Sequence, residues 1–144
     1  MRLLAARLAR FFLTALVVAT ACAGIAAKGT AEDAVARFHQ QLDGEQFDQI
    51  YDATDELFKN AMTRVQFAEM LTTIHRKVGR VVNSTQTSFY SRDEAGTNPG
   101  SYVSLTYDTQ FADGLFTESF NWRVAGAGVR LVGYRIDVPK PPTK

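Results

Sequence analysis

Apolar residues alternate with polar ones from Val103 to Phe111 and again from Phe116 to Val124, and Asp113-Gly114 stands between the two runs. A period of two sends successive side chains to opposite faces of a strand, and an Asp-Gly connection favours a tight hairpin. A hairpin closed at Asp113-Gly114 pairs Val103 with Val124, Leu105 with Trp122, Tyr107 with Phe120 and Phe111 with Phe116 on one face. The other face pairs Ser104 with Arg123, Thr106 with Asn121, Asp108 with Ser119 and Gln110 with Thr117. A slip of one residue would exchange the two sets. A chain with this pattern is therefore committed to an antiparallel sheet that is dry on one face and wet on the other.

The turn Ala125-Gly126-Ala127-Gly128 extends the sheet and sets Val124 opposite Val129, Trp122 opposite Leu131 and Phe120 opposite Gly133. Carried straight on, the register places Arg135 across from Glu118 and sends Val132, Tyr134, Ile136 and Val138 to the wet face. A bulge at Gly133 would turn those four residues inward instead. The pattern leaves both registers open. An earlier strand is expected near Val81–Tyr90, followed by a polar loop over Ser91–Gly100.

Before Val81 the apolar period is helical. Thr30 with Asp33 resembles a cap, followed by Val35, Phe38 and Leu42, with Gly44 as the stop. A short second helix is expected around Phe47, Ile50 and Tyr51. In the third, Thr63 and Gln66 form a capping box, Phe67, Met70, Leu71, Ile74 and Val78 form one stripe, and Gly79 ends it. Arg76, Lys77 and Arg80 lie where they complement the helix dipole. The fold class is α+β: about three helices on a four-stranded antiparallel meander.

The N-terminus has a different character. Arg2, Arg7 and Arg10 precede an uncharged run from Phe11 to Ala27 that turns from Phe, Leu and Val to Ala, Thr and Gly. A basic start, an apolar centre and a small-residue end make residues 1–28 a secretory signal peptide. Ala19-Thr20-Ala21 and Ala21-Cys22-Ala23 offer cleavage sites, and Val18 to Cys22 looks like a lipoprotein box that would place a lipid on Cys22. The expected location is the periplasm, free or tethered by that lipid. The domain then spans residues 30–138, and the Pro-rich tail 139–144 is expected to be disordered.

Loss of the signal removes three arginines, so the chain's formal charge of +1 becomes −2 for the domain. That lacks the positive footprint a nucleic-acid partner requires. Cys22 is the single cysteine, so a thiol nucleophile, a redox pair and a cysteine-based zinc site are excluded from the domain. His39 and His75 each lie at the edge of a helix stripe without a third ligand at useful spacing, so no metal and no cofactor is expected.

Three helices followed by an antiparallel meander with one apolar face resemble the cystatin-like cone, the nuclear-transport-factor-two-like superfamily. Phe38 to Asp43, Phe47 to Tyr51, Val78-Gly79, Val103 to Phe111 with Glu118-Ser119-Phe120, and Leu131 to Ile136 are similar to small exported bacterial domains of that superfamily with no assigned function. The resemblance spans roughly residues 32 to 138 and implies helices packed into the concave side of a bent sheet.

Isomerases and dehydratases that resemble this cone use a pocket carboxylate with a tyrosine or acid beside it. Glu118 is the one carboxylate on the apolar face of the hairpin, with Thr109 opposite and Tyr107 one pair further in. It is the candidate general base of a small pocket enzyme, or a rim carboxylate paired with Arg135. Tyr107-Asp108 is not a dyad, because alternation separates the two side chains. Tyr51, Tyr107, Glu118 and Arg135 are the candidate ligand-binding residues, with Tyr51 placed to cover a pocket mouth or to join its helix's apolar side. The leading expectation is a non-catalytic cell-envelope domain that binds a small apolar ligand or an envelope protein, a homodimer being one form of the latter. An open cavity would separate binding from packing.

Overall fold

The computed structural model describes residues 26–137; residues 1–25 of the expected signal peptide, Cys22 among them, lie outside the described residues, as do Val138 and the Pro-rich tail. Four helices precede four strands: α1 over residues 26–43, α2 Phe47–Asp52, α3 Glu56–Ala61 and α4 Arg64–Val78, then β1 Val81–Glu94, β2 Gly100–Phe111, β3 Gly114–Ala125 and β4 Gly128–Asp137. The strands form one antiparallel meander in the order β1-β2-β3-β4. No helix among the described residues is long and apolar enough to cross a membrane.

Helix α1 is already helical at residue 26, so Thr30 does not cap it; the Thr30 hydroxyl instead donates to the Ala26 carbonyl at 2.9 Å. Alanine at 26, 27, 31 and 34 favours helix, and Ala31 and Ala34 are buried in the core beside Val35, Phe38 and Leu42. Gly44 follows the last helical residue as expected, but the left-handed turn residue is Glu45, at φ 53°. A Cβ on Gly44 would stand 3.3 Å from the Gln40 carbonyl, so space rather than φ favours glycine there.

The third expected helix is α4, and its capping box is complete: the Gln66 N–H donates to the Thr63 hydroxyl, and the Thr63 N–H donates to the Gln66 side chain. Its stripe contributes Phe67, Leu71 and Val78 to the core. Helix α3 is the one the sequence pattern missed. Asp55 caps it by accepting from the Leu57 N–H at 3.0 Å, and Phe58 packs edge-on against Phe67. Helix α2 is as short, but it shows Phe47, Ile50 and Tyr51 at helical spacing, whereas α3 buries only Phe58 and so offers no apolar period to read.

The β2–β3 hairpin keeps the expected faces but not the expected register. Phe111 pairs with Gly114, Tyr107 with Glu118, Leu105 with Phe120 and Val103 with Trp122, two residues from the expected pairing. The loop is Ala112-Asp113 rather than Asp113-Gly114. Both loop amides are spent on the preceding segment, Ala112 N–H on the Arg80 carbonyl at 2.8 Å and Asp113 N–H on the Val78 carbonyl at 3.0 Å. That docking moves the turn back by one position. A shift of two residues preserves which side chains share a face, so the dry face remains Val103, Leu105, Tyr107, Phe111, Phe120 and Trp122, all buried.

Between β3 and β4 the open question resolves to the bulge. Val124 faces Val129 and Trp122 faces Leu131, but Asn121 then faces Gly133 and Phe120 faces Tyr134, with Val132 as the extra residue. Tyr134 and Ile136 consequently turn to the core and Arg135 turns out. The bulge lies where the α2–α3 connection meets the outer edge of β4: Thr54 bridges to Leu131, and the Asp55 N–H donates to the Leu131 carbonyl at 2.8 Å.

Candidate functional site

Glu118, expected at a solvent-reached rim and beside Arg135, is instead fully buried, and Arg135 pairs with Asp137 at 2.6 Å on the outer face. The bulge is the cause, because it exchanges Arg135 for Tyr134 on the core side. A bare carboxylate in such surroundings would be prohibitively costly. Glu118 escapes that cost through three side chains: Thr109 Oγ1 at 2.6 Å and His39 Nε2 at 2.7 Å from Oε2, and the Tyr134 hydroxyl at 2.7 Å from Oε1.

As a carboxylate, Glu118 can only accept. His39 Nε2 therefore carries the hydrogen of that bond, and Thr109 and Tyr134 donate theirs. With Thr109 donating to Glu118, the 2.9 Å contact between Ser84 Oγ and Thr109 Oγ1 must be donated by Ser84. The cluster thus takes one residue from α1 and one from each of the four strands: His39, Ser84, Thr109, Glu118 and Tyr134. Burial, the nearby Glu118 charge and the hydrogen bond to it together hold the Tyr134 phenol well above its ordinary pKa. Phe38 and Phe120 close over the group, with ring centroids 5.1 Å apart and Tyr134 within 5.1 Å of both.

Tyr107 faces Glu118 across the ladder, but its ring packs edge-on against Phe120, and no hydrogen bond joins it to the carboxylate among the described contacts. Burial, helped by the Glu32 charge, pushes its phenol up to about 12. Tyr51 belongs to the apolar side of α2: its hydroxyl donates to the Met62 carbonyl at 3.0 Å, and the Arg64 guanidinium lies 4.7 Å above its ring. The four expected binding residues therefore do not converge. Sequence reasoning missed His39, whose position four residues after Val35 was the available signal, and Tyr134, which was hidden by the unresolved register.

A second feature lies on the other side of Phe38. A cleft lined by Ala34, Arg37, Phe38 and Gln41 of α1, Ile50 of α2, Ala53 just after it, and Trp122, Val129 and Leu131 of the sheet separates the first two helices from the β3–β4 hairpin. The depression measures about 330 Å³ including the part open to solvent, of which only about 30 Å³ admits the centre of a water molecule. As the structure stands, that space suffices for one or two waters. Trp122 is 4% exposed, and its indole Nε1–H is buried with no acceptor among the described residues. An unpaired buried donor costs about 1–3 kcal/mol.

No curated protein is significantly similar to the chain. Residues 34–134 match the family described as "Protein of unknown function (DUF4019)". The match covers the segment from the middle of α1 to Tyr134, including the whole cluster around Glu118 and the wall of the cleft. The chain belongs to the DUF4019 family.

Proposed function

We propose that this domain is a non-catalytic binding domain of the cell envelope and that a small ligand enters the cleft beside Trp122. The observation that carries this reading is the cleft itself, a depression of about 330 Å³ including its open part, with mostly apolar walls and with Trp122 among the residues that line it. Ligand sites combine mostly apolar walls with a few polar groups that fix orientation, and Ala34, Phe38, Ile50, Val129 and Leu131 supply the walls. A cystatin-like cone is the finer fold reading. It is supported by helices and a four-stranded meander sharing one core.

The isomerase or dehydratase alternative through Glu118 is less favoured on geometry. A general base needs a lone pair within hydrogen-bond reach of its substrate, whereas both Glu118 oxygens already accept from side chains, and the residue is 0% exposed. The three donors held on its oxygens speak for a structural role.

Trp122 is the only tryptophan in the chain, so its fluorescence and its single indole N–H resonance report the cleft directly. Titration with an apolar fluorescent probe such as anilinonaphthalene sulfonate is expected to shift both signals. Ala53→Phe, at the exposed mouth of the cleft, is expected to abolish the shift without changing the melting temperature by more than a few degrees. A probe that binds without moving the Trp122 signals, or binds Ala53→Phe equally well, overturns the reading. The envelope location rests on Arg2 to Ala27, and intact mass of the protein recovered from cells tests it: export requires a shortened N-terminus, and lipidation requires that terminus to be a modified Cys22.

A further inference from the structure

We infer that the outer edge of β1 is a self-association surface, on which a second copy of this chain lays its own β1 antiparallel to the first. The inference goes beyond the cleft, which lies on the β3–β4 side of the sheet. The meander has two edges, and they are finished differently. Along β4 the α2–α3 connection covers the edge, where Thr54 bridges to Leu131 and the Asp55 N–H donates to the Leu131 carbonyl. Along β1, the longest strand, no further strand or bridge is present among the described residues. Residues 87–94 are all exposed, with Phe89 at 38% and Tyr90 at 59% on opposite faces. Such an edge carries backbone N–H and C=O groups that another extended chain can take up, and proteins commonly blunt it with lysine, proline or a covering segment. From Val81 to Ser91 the strand has neither a charge nor a proline.

The occupant follows from how this edge matches itself. Register shifts leave Val82 and Thr87 as extra residues, which bend the first half of β1, whereas the pairing with β2 is unbroken from Ser88 to Glu94. A closed pair of identical chains uses the same segment on both. A two-fold that joins two antiparallel strands in one sheet stands perpendicular to that sheet, so opposed residues share a face and the axis passes through a residue. Centred on Ser91, it engages the whole unbroken run: Ser88 faces the partner's Glu94, Phe89 faces the partner's Asp93, and Tyr90 faces the partner's Arg92. No like charges meet. Centring on Arg92, Asp93 or Glu94 opposes each to its own kind, and centring on Phe89 or Tyr90 runs into the bulge at Thr87. Within one chain the Arg92 guanidinium already lies 5.3 Å from the ring centroid of Tyr102, its neighbour on β2. The Ser91 register brings the partner's Tyr90 to the other side of Arg92 on the same face, so each guanidinium stands between two tyrosine rings.

The run Ser88–Glu94 gives each copy fewer residues than the roughly 20–30 a side of a standard interface, so association is expected between about 10 µM and about 1 mM. Sedimentation of the exported chain across that range is expected to show the average mass rising from one chain towards two. Because Ser91 opposes itself, Ser91→Lys and Ser91→Glu are each expected to weaken association at least tenfold, with melting temperatures within a few degrees of the parent's. An equimolar mixture of the two variants is expected to regain the association that each has lost. A parent chain that stays single up to about 1 mM overturns the second copy as the occupant and leaves the edge to an extended segment of another protein. Association that is unchanged in Ser91→Lys places the contact on another surface, and a mixture no stronger than its components rejects the pairing about Ser91; either result overturns the inference.

Discussion

At Glu118 a formal charge sits at 0% exposure, with three donors supplied by His39, Thr109 and Tyr134. Removing the acceptor is worse than removing the whole group, because it strands the donors. Glu118→Ala is expected to lose about 3–5 kcal/mol in urea denaturation, and Tyr134→Phe about 1.5–3 kcal/mol. Replacing the cluster together, with His39→Leu, Thr109→Val, Glu118→Met and Tyr134→Phe, is expected to cost less than Glu118→Ala alone. A quadruple variant weaker than Glu118→Ala would show that the cluster adds net stability rather than merely satisfying itself. Glu118 and Thr109 were legible as the polar breaks in an apolar alternation. His39 was not, since a histidine at the edge of a helix stripe reads equally well as half-exposed. Nor was Trp122 as a cleft residue, because periodicity gives the face of a ring but not whether its N–H finds an acceptor.

The elements show why faces could be read and registers could not. Alternation fixes parity, so Leu105, Tyr107, Phe120 and Trp122 could be assigned to the core from letters alone. The absolute pairing was decided by tertiary hydrogen bonds from Ala112 and Asp113 to Arg80, just before β1, and to Val78 at the end of α4, which no local pattern carries. The bulge at Val132 is a second such case, and it decides which of Tyr134 and Arg135 meets Glu118. Deleting Val132 removes the extra residue and leaves a straight ladder in which Leu131 still faces Trp122 and Tyr134 still faces Phe120, with Arg135 outward. The deletion is therefore expected to cost no more than about 2 kcal/mol in urea denaturation; a larger loss would mean that the bulge itself, and not only the register it creates, is needed by the core. Gly79, foreseen as a helix stop, carries a further constraint. At φ 75° its Cβ would stand 2.8 Å from the Ala112 Cβ, so Gly79→Ala is expected to cost about 2 kcal/mol in backbone strain and displacement of the hairpin loop, measurable as a lowered denaturation midpoint.

Across the whole molecule, the two phenols on the core face tie folding to alkaline pH. Burial is the main cause for both: it pushes Tyr107 up to about 12, with the Glu32 charge adding to it, and holds Tyr134 well above the ordinary value, with Glu118 adding to it. An unfolded tyrosine loses its proton near pH 10. Below that pH both states hold the proton, and the stabilisation that goes with the neutral phenols is complete. Above it the unfolded chain releases protons that the folded chain retains, so stability falls as pH rises, by about 1.4 kcal/mol per pH unit for each such group. For Tyr107 the fall ends once pH passes its folded value near 12; for Tyr134 it continues further. The same protein should therefore show a flat stability between pH 8 and 9.5 and a decline above pH 10 approaching about 3 kcal/mol per unit when both groups contribute. Urea midpoints taken across that range test it, with Tyr107→Phe and Tyr134→Phe each expected to reduce the slope by about half. An alkaline slope unchanged in both variants would place its origin elsewhere, because the same five-residue cluster that makes Tyr134 a donor to Glu118 is what denies it ionisation in the folded state.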